Sequence, residues 1–451
     1  MSWDFTTDPE FQAKLDWADR FVTDECEPLD LAFPDQERMP PHPALRGVIL
    51  PLSGRVREQG LWAAHLGPDR GGGGYGQLSL ALLNEVLGRS QWAPVIFGTQ
   101  APDSGNAEIL ARYGTPEQQA AYLEPLLSGE IFSCYSMTEP HAGADPKQFT
   151  MSARRDGGGW ILDGEKYFAS NSSDSAFLIV LAVTSQGADP YRRLSSFLVP
   201  SATPGLSIIH NVDTLGTPYG SGRPGLRHGH LRFDAVRLPA DALLGGEGQG
   251  FEVAQTRLGA GRLHHAMRTV AVGKLALDMM CRRALSRQAQ GSRVADKQLV
   301  QEAIADSWRE ITQFRLMVLY TAWLCDQSST ADARREIAAC KVQAAKLMVD
   351  VLHRAIHVHG ALGVSNETPL AAMWARAPQM GIMDGPTEVH QITVARQTLR
   401  EYEAYEGVFP PYWLPPRVAA ARARYRDVLD AIEAHPEPGE TGVAVRPDSA
   451  W

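Results

Sequence analysis

A chain of 451 residues is too long for one ordinary hydrophobic core, so two or three structural units are expected. Its 44% hydrophobic and 21% charged content is that of a soluble globular protein, and 43 basic against 52 acidic residues give a net charge of −9, which leaves no basic footprint for nucleic acid or an anionic membrane. No run of about 18 apolar residues suggests a membrane span, the acidic start MSWDFTTDPEFQAKLDW does not resemble a secretory signal, and the 5 cysteines lack CxxC spacing and fit reduced thiols in a cytoplasm.

The first block, residues 1–131, reads as helical. Leu15, Ala18 and Val22 recur at helical spacing between Phe11 and Glu25, and a further apolar helix is expected over Leu78–Leu87. Thr115-Pro116-Glu117-Gln118 reads as a helix start, with Thr115 as N-cap and Gln118 three residues on. The texture then changes. Over residues 132–244, short β-rich runs alternate with turns: TMSARR, DGGG and WILDG form a hairpin, AFLIVLAVTS a buried strand, and SSFLVP and HLRFDAVRL two more. This block is expected to be a small antiparallel β domain.

Helix returns near Phe251, and residues 245–405 are expected to form a four-helix-bundle-like domain. Val272, Leu275, Ala276, Met279 and Met280 make one apolar stripe, opposite Lys274, Asp278 and Arg282. Val300, Ala303, Ile304, Trp308 and Ile311 make a second, and residues 336–359 form a third long helix. The proline-rich tail, 406–451, reads as extended and then disordered. The fold class is therefore α+β, mostly α.

GGGGYG at 71–76 has the letters of a dinucleotide fingerprint but lacks the preceding strand and the βαβ unit, so a mobile glycine loop is the better reading. The pairs His228/His230, His264/His265 and His357/His359 lack the context of a tetrahedral metal site, and no metal is expected. SCYSMTEPHAGADP at 133–146 ends a strand in hydroxyls and backbone amides beside an apolar surface, which suits the rim of a flat heterocycle or an ordinary strand exit. MDGPTEVH at 383–390 crowds Asp384, Glu388 and His390 around a Gly-Pro turn.

Together these segments resemble the acyl-CoA dehydrogenase family. SMTEPHAGADP is similar to its first signature, and DGEKYFASNSS to its Gly-x-Lys-x-aromatic segment. LRFDAVRLPADALLGGEGQGF, RLGAGRLHHA, ALSRQAQG, IHVHGALG and DGPTEVHQITVAR follow in family order. The resemblance implies FAD between the β domain and the bundle, a second subunit completing the site in a homodimer or homotetramer, an acyl-CoA substrate, and an electron-transfer flavoprotein as acceptor. It implies that Tyr135, Met137 and Thr138 line the flavin, that Phe168 stacks near it, and that Ser170 bonds its rim. Arg287 and Gln298 would reach the pyrophosphate and adenosine from a neighbouring subunit, where a guanidinium matches phosphate oxygens in pairs. His357, Gly360 and Ala361 would approach the other end of the cofactor, and Pro386 and Glu388 would also contact it.

The family's base is usually a glutamate before Gly-Thr, and Asp384 stands at that position. Aspartate is shorter by one methylene, roughly 1.5 Å, whereas near-attack contact needs about 3–3.5 Å. Some relatives place the base where this chain has Gly261, which carries no acid; Arg262 follows it as a candidate substrate contact. His390 is expected to face the bundle. His141 in place of a glycine is expected to narrow the entrance, and Ala144 replaces a serine that touches cofactor or substrate. His357 and Ala361 also depart from the usual glutamine and glycine. Nitroalkane oxidases share this fold and use an aspartate, so an oxidase or a desaturase of a non-CoA substrate is the alternative; a non-catalytic binding protein is a third reading.

Overall fold

The structure, a computed structural model, describes residues 7–34, 43–70, 72–187, 189–215 and 228–434. Two compact units are present, residues 1–396 and residues 397–451.

The larger unit opens with helices α1 (Pro9–Phe21), α2 (Pro43–Glu58), α3 (Gly76–Leu87) and α4 (Asp103–Tyr113). Helix α1 starts where Asp8 accepts the Phe11 amide, and it buries Phe11, Leu15, Ala18 and Phe21 along one stripe. The Thr115 capping box is present as expected, with Gln118 also reaching back to the Thr115 amide. The start of α3 is capped from within the chain: the Gln77 and Leu78 amides donate to the Asp326 carboxylate at 2.6 and 2.9 Å. The donors a phosphate would need after the glycine run are thus spoken for; Gly71 itself lies outside the described residues.

The sheet comprises β1 (Ser133–Ser136), β2 (Ser152–Asp156), β3 (Gly159–Ser170), β4 (Phe177–Val183), β5 (Leu194–Pro200), β6 (Leu206–Val212), β7 (His228–Leu238) and β8 (Leu243–Leu244). Its order is β6-β7-β3-β2-β4-β5-β8, with β1 beside β4. In one respect it departs from the antiparallel expectation. Strand β1 runs parallel to β4, and β2 meets β4 in parallel at Ser152–Val183. A parallel pair needs a long crossover, which the intervening β2–β3 hairpin supplies. Every residue of β4 is buried because both faces of the sheet are covered. One side packs Phe177, Ile179 and Leu198 against Ile109 and Leu110 of α4, and the other packs Trp160, Phe197 and Phe233 together.

Helices α5 (Gly250–Ser286), α6 (Gln298–Gln327) and α7 (Arg334–His359) form the bundle, and a turn at 381–386 leads into α8 (Thr387–Leu399). The second apolar stripe needs correction. Helix α6 buries Ser307, Ile311, Phe314 and Val318, while Trp308 is 62% exposed.

In the smaller unit, the expectation of an extended tail is overturned over residues 414–434, which form α9 (Leu414–Arg424) and α10 (Arg426–Ala434). Pro415 and Pro416 fall in the first turn of α9, where a missing N–H costs nothing, and an Ala/Arg-rich run of good helix formers follows. The expectation of disorder for 435–451 lies outside the described residues.

Candidate active site

Asp384 sits at φ 55° and Gly385 at φ 104°, two successive positive values that reverse the chain before α8. The turn is held through one carbonyl: the Asp384 oxygen accepts Arg262 Nε at 2.8 Å and contacts His390 Nε2 at 3.2 Å. His390 is buried, as expected, but it also braces the acid's main chain. Burial, followed by the nearby Arg262 charge, pushes the His390 imidazole down to about 4.

The Asp384 side chain faces a cavity whose polar lining includes His65, Glu108, Arg257, His264 and His265. Gly261, also in the wall, lies beside it: a Cβ there would sit 3.7 Å from Asp384 Oδ2, in ordinary van der Waals contact. One helical turn on, His265 Nε2 approaches the same oxygen at 3.4 Å. Burial keeps His65 and His265 neutral, with each pushed down to about 4, and holds His264 well below the ordinary range. Burial also raises Glu108 to about 7, against the pull of Arg112 and Arg257. Arg257 lies 4.0 Å over the Tyr135 ring and donates Nε to Asn106 at 2.9 Å.

On the sheet side, Tyr135, Met137 and Thr138 follow one another along and just beyond β1. The Met137 and Thr138 carbonyls accept Lys166 Nζ at 2.8 Å and the Tyr167 amide at 2.9 Å. Phe168, at φ 54°, leaves 48% of its surface exposed, and the Ser170 hydroxyl meets His228 Nδ1 at 2.8 Å. At the bundle end, Arg287 lies against Gly360, where a Cβ would fall 3.2 Å from a guanidinium nitrogen. Gln298, His357 and Ala361 are exposed there, with the His357 ring 4.3 Å from that of His353. Glu388 is exposed in the first turn of α8, and Pro386 is half-buried just before it. His141 is exposed and turns to the Gln148 carbonyl at 3.1 Å; Ala144 is exposed on the same loop.

Sequence reasoning quoted Glu139 and Lys166 inside two motifs yet gave them no role. They form a fully buried ion pair at 3.0 Å, and Glu139 also accepts the Thr150 and Met151 amides at 2.7 and 3.0 Å. Burial alone would raise the Glu139 carboxyl, but Lys166 and these amides outweigh it and hold it below the ordinary range. The Thr-Glu-Pro loop is thereby tied to β3 and its Phe168. Glu108, Arg257 and His265 were also missed; for Arg257 and His265 the signal was the turn-by-turn spacing from Gly261, legible only once one face of α5 is known to meet Asp384, whereas Glu108 joins the cavity from α4.

The helical–β–helical order of the chain has counterparts among known proteins. Residues 8–130, 134–236 and 248–399 match the models of the acyl-CoA dehydrogenase N-terminal, middle and C-terminal domains. The probable acyl-CoA dehydrogenase FadE2 of Mycobacterium tuberculosis is 39% identical over 402 residues, 88% of this chain and 93% of that protein. Acyl-CoA dehydrogenase family member 11 of Mus musculus is 39% identical over 358 residues, 78% of this chain but 45% of the mouse protein, so the chain spans less than half of that relative. A solved Mycobacterium abscessus chain assigned to the acyl-CoA dehydrogenases is 36% identical with a TM-score of 0.81, covering 88% of this chain and 100% of that one. The chain belongs to the acyl-CoA dehydrogenase family, and it is an FAD-dependent oxidoreductase.

The residues present fit that cofactor. Phe168 offers a half-exposed aromatic face, and Tyr135 Oη is buried with no partner among the described residues. Gly360 leaves open the space beside the Arg287 guanidinium that a side chain would fill.

Proposed function

We propose that the chain catalyses α,β-desaturation of an acyl-CoA thioester, with Asp384 as the base that takes the α-proton. The observation that carries this reading is the placement of the Asp384 carboxylate in the cavity wall against Gly261, so that the two positions at which the family resemblance expects a base lie side by side. FAD, when bound, accepts the β-hydrogen as hydride. Arg262 and His390 fix the main chain of the base, which lets a shorter acid hold one direction. Tyr135, Met137, Thr138, Phe168 and Ser170 would hold the isoalloxazine ring. Arg287, Gln298, His357, Gly360, Ala361, Pro386 and Glu388 would serve the remainder of the cofactor, and His141, Ala144 and Arg262 the substrate side. Electron transfer to a flavoprotein partner, a homodimer or homotetramer, and a cytoplasmic site of action belong to the same reading.

The test is anaerobic. Purified holoenzyme mixed with a panel of acyl-CoAs is expected to lose its visible flavin absorbance, and Asp384→Ala to lose this by about 10²–10⁴-fold, the usual worth of a positioned base. Unchanged bleaching in Asp384→Ala would remove the assignment. The aspartate itself favours one second reading, a nitroalkane-oxidase-like activity. Oxygen consumption with peroxide release on a non-CoA substrate, without an electron-transfer partner, would establish it instead.

A further inference from the structure

We propose that His265 is the positioning residue for the Asp384 carboxylate, a role that rests on Asp384 being the base. A glutamate is replaced here by an acid with one fewer methylene, so the carboxylate is placed by the backbone and two side-chain torsions alone. The backbone is settled by the Arg262 and His390 contacts to the Asp384 carbonyl, but neither touches the carboxylate oxygens. Among the described residues, His265 is the side chain paired with that carboxylate, with Nε2 3.4 Å from Oδ2.

The geometry follows from α5. Residues 261 and 265 lie one turn apart on the same helix face. Gly261 faces the carboxylate, with an added Cβ falling 3.7 Å from Oδ2, and His265 approaches that same oxygen from one turn further on. The imidazole is neutral, chiefly because it is buried and also because Arg268, Lys341 and Arg257 surround it, although Asp384 favours its charged form. A neutral ring can donate one hydrogen bond to the carboxylate without placing a second full charge beside the reacting centre. The 3.4 Å separation shortens to a hydrogen bond when substrate fills the cavity, as catalytic contacts commonly do on binding.

The experiment compares His265→Ala, His265→Gln and Asp384→Ala holoenzymes by steady-state kinetics with acyl-CoA and its α-deuterated form, after FAD content and Tm are matched. Loss of orientation at a reacting group costs up to about 10²-fold. His265→Ala is therefore expected to lower kcat by about 10–100-fold, to leave KM within about twofold, and to enlarge the α-deuterium isotope effect. His265→Gln, whose amide nitrogen can stand near the Nε2 position, is expected to regain most of the rate. A purely structural role would leave the isotope effect unchanged. Wild-type kcat in His265→Ala, an unchanged isotope effect, or Gln no better than Ala overturns the proposal while Asp384→Ala remains inactive. An active Asp384→Ala overturns the base and His265 with it.

Discussion

Asp384 was legible from its neighbours in sequence, because a carboxylate before glycine in DGPTEVH has a family counterpart. His265 was not, since its partner lies 119 positions away and only the fold brings the two to 3.4 Å. The same holds for the rest of the cavity, where burial keeps three imidazoles neutral and raises the Glu108 carboxyl to about 7. Their pH signatures oppose one another. Unfolded imidazoles take up protons near pH 6.5, whereas His65, His265 and His390 stay neutral down to about 4, so stability present above pH 6.5 is lost as the pH falls toward 4. Glu108 works in the other direction. Its folded carboxyl keeps a proton up to about 7 while the unfolded one releases it near 4.5, so its contribution is lost as pH rises through that window. Glu108→Gln is accordingly expected to raise Tm at pH 8 and to change it little at pH 5, as scanning calorimetry at the two pH values would show.

At the scale of elements, alternation and turn residues located the β2–β3 hairpin and strands β4, β5 and β7, because half-buried and fully buried strands write different patterns. They did not reveal the parallel pairing of β1 with β4, which depends on where the chain re-enters the sheet rather than on any local composition. Nor did periodicity place Trp308, since a large apolar residue beside a stripe reads as core whether or not a neighbour covers it. The Glu139–Lys166 pair connects the loop after β1 to β3, and neither charge touches solvent. Removing one partner of a buried pair leaves the other desolvated and unpaired, at about 3–5 kcal/mol. Glu139→Gln is expected to destabilise the protein by that order in urea unfolding, and Glu139→Gln with Lys166→Met to recover part of the loss.

For the whole molecule, helix–β–helix order was readable along the chain, but the joining of Arg287 to Gly360 was not, because 73 positions separate them. With Arg287 holding the cofactor's pyrophosphate, as proposed, Arg287→Ala should weaken FAD binding by about 10–100-fold, the worth of a charge-assisted hydrogen bond of about 1.5–3 kcal/mol. Flavin retained after gel filtration at matched protein concentration measures this, with circular dichroism confirming an intact fold.

Helix α5 carries Arg257, Gly261, Arg262, His264, His265 and Arg268, and its C-cap residue is Arg287. Arg262 and Arg287 are 25 positions apart, roughly 40 Å of continuous helix at 1.5 Å per residue. One inserted or deleted residue within that span would turn everything beyond it by about 100°. The Arg262 contact to the Asp384 main chain and the Arg287 approach to Gly360 thus share a single screw thread, and a change in the length of α5 between them would break one or the other.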